Sequence, residues 1–87
     1  MPYAHMPYAL YYATVPAPQE LTRAKLDNLV PVHFSSEKDA LHAAVLVLRG
    51  GQHVWLIDGP DVYYGAAQVN ERCEPILRLF RRPGDRR

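Results

Sequence analysis

F-S-S-E-K-D-A-L-H-A-A-V-L-V-L-R-G-G, residues 34–51, reads as a helix with both of its ends written in. Ser36 and Asp39 stand at capping-box spacing, and the acidic Glu37 and Asp39 lie where the helix dipole favours them. Gly50-Gly51 supplies a left-handed stop after Arg49. A helix over 36–49 is therefore expected. At 3.6 residues per turn, Lys38, His42 and Arg49 form a narrow polar stripe. Ala40, Leu41, Ala43, Ala44, Val45, Val47 and Leu48 spread over roughly 200°, about twice the arc a surface helix needs for one core. So wide an apolar surface has to meet two things. One is the chain's own sheet; the other is a neighbouring helix or a second molecule. Ala40, Ala43, Ala44 and Val47 are accordingly the candidate oligomer interface, with a homodimer as the expected assembly.

Before this helix, residues 8–15 alternate as a strand, with Tyr8, Leu10, Tyr12 and Thr14 on one face and Ala9, Tyr11, Ala13 and Val15 on the other. Pro16 and Pro18 end it, and a weakly patterned helix follows over about 19–28. Residues 30–34 read as a short strand with Val30, Val32 and Phe34 facing inward, and Pro31 places it at an edge. After the helix, Val54-Trp55-Leu56-Ile57 is continuously apolar, as in a central strand covered on both faces. Asp58-Gly59-Pro60-Asp61 is a turn signal, so 61–64 returns as a hairpin partner or leads into the next helix. Ala66, Val69, Cys73, Ile76, Leu77 and Phe80 then share one face of a C-terminal helix. Pro75 should kink that helix or start its second half, and Pro83-Gly84 ends it.

The expected architecture is α+β: a small mixed sheet of three or four strands (8–15, 30–34, 53–58 and 61–64), a long central helix and a C-terminal helix. The β-α-β order also allows a small α/β layer with parallel neighbours. One domain over 1–87 is expected, with 1–6 and 83–87 loose. The start is duplicated, Met1-Pro2-Tyr3-Ala4 and then Met6-Pro7-Tyr8-Ala9, which leaves Met1 and Met6 as rival first residues.

An 87-residue chain buries only about 60–65% of its unfolded surface, so oligomerisation is a natural supplement to its core. One cysteine allows no internal disulfide and suits a reducing compartment. No apolar run reaches the length of a membrane span, and the first residues do not resemble a secretory signal. A cytoplasmic protein is expected. Residues 1–77 carry five Lys/Arg and eight Asp/Glu, a charge of −3, whereas 78–87 carry five Arg and one Asp, a charge of +4. That asymmetry has two readings: an interaction tail, or cations placed in the last turns of a helix where the dipole favours them.

His5, His33, His42 and His53 show no metal-ligand spacing, although His33 and His53 could meet near Asp58 or Asp61. Cys73 lies on an apolar stripe, where cysteines behave as small buried hydrophobes. No metal, cofactor or catalytic set is assigned. If Val54 and Leu56 face the long helix, Trp55 and Ile57 face the other way, where Tyr63 or Tyr64 joins them. Trp55, Tyr63 and Tyr64, with Arg78, Arg81 and Arg82, are therefore the candidate ligand or partner surface. Two functions lead, and a small enzyme comes third because no acid, base and nucleophile set stands out. The first is a non-enzymatic interaction or adaptor protein that self-associates and can dock a protein partner. The alternative is a nucleic-acid binder that combines the arginine-rich C-terminus with sheet aromatics.

Overall fold

In the computed structural model, residues 6–79 are described. Four strands form one sheet: β1 (Tyr8–Ala13), β2 (Val32–Phe34), β3 (His53–Asp58) and β4 (Tyr63–Gly65). Their order across the sheet is β2-β1-β3-β4. The α+β class is as expected, and every pairing is antiparallel rather than mixed. The reason is topological. β2 and β3 are joined by a helix and run parallel to each other, but β1 lies between them, so the crossover makes a split β-α-β unit without a parallel ladder.

The central helix α2 (Glu37–Arg49) starts and stops as its sequence dictates. Ser36 is the N-cap, and its hydroxyl accepts from the Asp39 N–H at 3.1 Å. At the other end the Gln52 N–H donates to Val47 O and the Gly51 N–H to Leu48 O, both at 3.1 Å, with Gly51 at φ +86°. This is the two-bond glycine stop that satisfies the last carbonyls of a helix. The C-terminal helix α3 (Ala66–Leu79) continues through Pro75. Both helices lie against one face of the sheet, where Leu10, Ile57, Val54 and Tyr64 meet Ala40, Ala44, Val45, Val69 and Cys73.

The other face is covered too. The short helix α1 (Arg23–Asp27), capped by Thr22, lays buried Leu26 near Leu56. Helix 19–28 is thus shorter than its prediction. A five-residue helix cannot stand alone and is held here by its one buried leucine. The first strand stops at Ala13, two residues early, and the Val15 carbonyl turns to accept from the Trp55 indole N–H at 2.9 Å.

The main departure from simple alternation lies in β3. Tyr11 pairs with Leu56 and Tyr12 with Val54, so Trp55 is an extra residue in a bulge. The inserted residue shifts the phase. Val54 and Ile57 belong to the helix-side core, whereas Leu56 shares the face of Tyr11. The expected pairings of Val54 with Leu56 and of Trp55 with Ile57 are therefore both broken. A second departure is β2, whose Val30 and Val32 were expected to point inward. Val30 precedes the strand and is exposed, Val32 is 40% exposed, and only Phe34 packs on the core. The strand is an edge of three residues, and α2 covers only its Phe34 end.

Candidate interaction surface

α2 meets two partners within the chain. Ala40 and Ala44 are completely buried, and Val45 nearly so, between the sheet and α3. The wide apolar arc is thus satisfied by the sheet on one side and by α3 on the other. Ala40 and Ala44 have no surface to offer a second molecule, which corrects their assignment to an oligomer interface. Ala43 and Val47 remain half-buried at the border of the helix, facing β2.

The apolar residue that is left outside is Leu46. It is 64% exposed in the middle of α2, in the same stripe as exposed Lys38, Asp39, His42 and Arg49. On one side lies an open groove of about 300 Å³ lined by Tyr12, Val32, Phe34, Ala43 and Val47. On the other lies a groove of about 270 Å³ formed with His42, Val45 and Ile76 of α3. Leu46 is a ridge between two furrows. On the helical wheel it falls in the gap between the Lys38, His42 and Arg49 stripe and Ala43, next to Asp39, so it belongs to neither the polar stripe nor the apolar arc, and no signal in the sequence singles it out.

The predicted aromatic surface does not assemble. Trp55 is buried, with its N–H bonded to Val15 O, beneath the segment carrying Ala17, Pro18 and Leu21. Tyr64 lies on the opposite, helix-facing side. Its hydroxyl donates to Glu37 at 2.7 Å, and the Arg72 guanidinium lies 4.7 Å from its ring centre. The hydrogen bond to the Glu37 carboxylate, with burial, raises the Tyr64 hydroxyl above its ordinary value, while Arg72 pulls the other way. Tyr63 alone is outside, at 62% exposure. Arg78 is exposed and pairs with Glu74 at 3.3 Å across one helical turn. Arg81 and Arg82 lie outside the described residues.

Among the described residues, the histidines stay apart. Ala9 of β1 is flanked by His33 on β2 and by Asp58 on β3, so those two are separated by a whole strand, about 9–10 Å. His53 lies at the far end of the sheet, opposite Ala13. Among the described residues no group of three His, Cys, Asp or Glu could hold a metal ion. Cys73 is fully buried with its thiol 3.9 Å from Leu41 O, and burial pushes its pKa up. A raised pKa disfavours the thiolate that nucleophilic chemistry requires.

No described helix is long and apolar enough to cross a membrane. The class that the fold defines is a small α+β protein with two helices on one face of an antiparallel sheet. Comparison with protein-family models, curated proteins and solved structures finds no match to this chain.

Proposed function

We propose that this protein is a small, non-enzymatic interaction module that self-associates through the outer flank of α2. The observation that carries the reading is Leu46, 64% exposed at the crest of a helix, with apolar grooves on both sides. A single exposed leucine is ordinary. One that is continuous with Val32, Ala43 and Val47 extends an apolar surface of the kind that marks an interface. The sheet edges are poorer candidates, because β2 and β4 have only three residues each and Pro31 adjoins β2.

The site chemistry favours this reading over catalysis. Glu37 and Tyr64 hold each other, and Cys73 is sealed in the core. A cytoplasmic setting suits the buried, unpaired thiol. The nucleic-acid alternative retains less support, since Trp55 and Tyr64 lie on opposite faces and Arg78 is engaged by Glu74. Sedimentation velocity over a range of concentrations tests the proposal. A dimer in the micromolar range supports it, and a monomer at high micromolar concentration overturns it.

A further inference from the structure

We propose that the cleft between α1 and the β3–β4 hairpin binds a small free α-amino acid, with Arg23 taking its carboxylate and Asp58 its ammonium. The cleft measures about 110 Å³ and lies on the face of the sheet turned away from α2 and α3. Strand register builds one wall. Asp58 and Tyr63 stand directly opposite each other in the β3–β4 ladder, on the same face as Leu56 two residues back. Helix α1 builds the other wall. Leu26 is its buried residue, and Arg23 lies one turn earlier on the same side. Seating Leu26 near Leu56 therefore carries the guanidinium to the cleft, and Leu21 completes the lining.

Among the described residues, the two charges in this cleft stand unneutralised. Arg23 and Asp58 form no ion pair, and neither side chain nor the Tyr63 hydroxyl makes a hydrogen bond. Elsewhere in the chain carboxylates beside tyrosines are engaged: Tyr8 holds Asp61 and Tyr64 holds Glu37. Here a guanidinium and a carboxylate face one hollow and stay apart. A ligand that carries both charges satisfies both walls at once. A simple carboxylate meets Asp58 as a like charge and a simple amine meets Arg23 so, and each loses on one side what it gains on the other. The volume lies well below the roughly 300–1,000 Å³ of sites for drug-sized ligands, so a single small amino acid fits the scale. The apolar floor of Leu26 and Leu56 selects a short aliphatic side chain. Arg23 and Tyr63 are exposed, so water screens these contacts and the affinity should be roughly millimolar.

Titrating L-valine into isotope-labelled protein, followed by amide chemical shifts, tests the site. Shifts should move at Arg23, Asp58 and Tyr63 and saturate in the millimolar range. N-acetylvaline lacks the ammonium and valinamide lacks the carboxylate, so each should bind at least roughly tenfold more weakly. Arg23→Gln and Asp58→Asn should each weaken valine by a similar factor. The blocked ligands act on the wild type, so the test does not depend on either variant folding. The cleft lies across the sheet from Leu46, and its occupancy is read independently of self-association. The absence of any saturable shift at the cleft overturns the site. Equal binding by either blocked form, or valine binding that survives both substitutions, overturns the recognition by paired charges.

Discussion

The Tyr64 hydroxyl donates a 2.7 Å hydrogen bond to the Glu37 carboxylate, joining the last strand to the first turn of α2. A tyrosine bonded to a carboxylate gives up its proton reluctantly, so its pKa in the folded protein lies above the ordinary value of 10.0. The native state therefore binds this proton more tightly than the unfolded chain does. The stabilisation is complete below pH 10 and is lost as pH climbs through the raised folded value. Tyr64→Phe should lower the melting temperature at neutral pH and flatten the alkaline decline. Tyr8, bonded to Asp61 at 2.9 Å and raised for the same reason, should account for much of what remains. Thermal melts between pH 8 and 11 check this, and identical alkaline limbs for wild type and Tyr64→Phe would count against it.

Cys73 has no exposed surface, so its thiol should react with a thiol reagent only as fast as the protein opens. Cys73→Ala should cost roughly 1–2 kcal/mol, because a small group is lost from a packed site. Cys73→Asp should cost several kcal/mol or prevent folding, since it forces a carboxylate between α2 and α3. Rapid, stoichiometric labelling of the native protein would contradict the burial.

Gly59 closes the β3–β4 turn, where its N–H donates to Val62 O at 2.9 Å. A Cβ at this position would run into the Tyr8 ring. Gly59→Ala should therefore destabilise by about 1–3 kcal/mol through overpacking. In a Tyr8→Ala background the same change should cost markedly less, because the obstructing ring is gone. Equal costs in the two backgrounds would show that the ring is not the obstacle.

Much of this fold could be read in advance because local signals and tertiary packing agreed. Ser36 and Gly51 act locally, so the two ends of α2 needed no knowledge of the rest of the chain. The hairpin turn at 58–61 was equally self-contained. What failed depended on long-range partners. The bulge at Trp55 exists only in the pairing of β3 with β1, and nothing in Val54-Trp55-Leu56-Ile57 signals where alternation breaks. The consequence reached the site, because the proposed aromatic surface assumed an unbroken period of two.

The wide apolar arc of α2 was correctly read as needing two partners, but sequence could not choose between a second helix and a second molecule. α3 fills that role, so Ala40 and Ala44 are core residues. Leu46 escaped notice for the converse reason. A wheel sorts residues by angle and cannot tell which angle the neighbouring elements leave open.

Arg78 and Glu74 form an exposed pair, with side chains 73% and 41% accessible. Exposed i,i+4 pairs contribute about 0.3–0.5 kcal/mol, so Arg78→Ala should leave the melting temperature nearly unchanged. The same variant bears on the nucleic-acid alternative. Binding of an oligonucleotide that falls with Arg78→Ala and with rising salt would favour that alternative over the one proposed.

Sedimentation velocity of wild type and Leu46→Glu, side by side at high micromolar concentration, tests the central claim most directly. Leu46 is exposed in the single chain, so the substitution should change the stability of the monomer by no more than about 0.5 kcal/mol. In the dimer it would set a glutamate at the contact of each copy with its mate. The expected result is a dimer for wild type and a folded monomer for Leu46→Glu, with matching circular dichroism. A monomeric wild type, or a dimer that Leu46→Glu leaves intact, would contradict the claim.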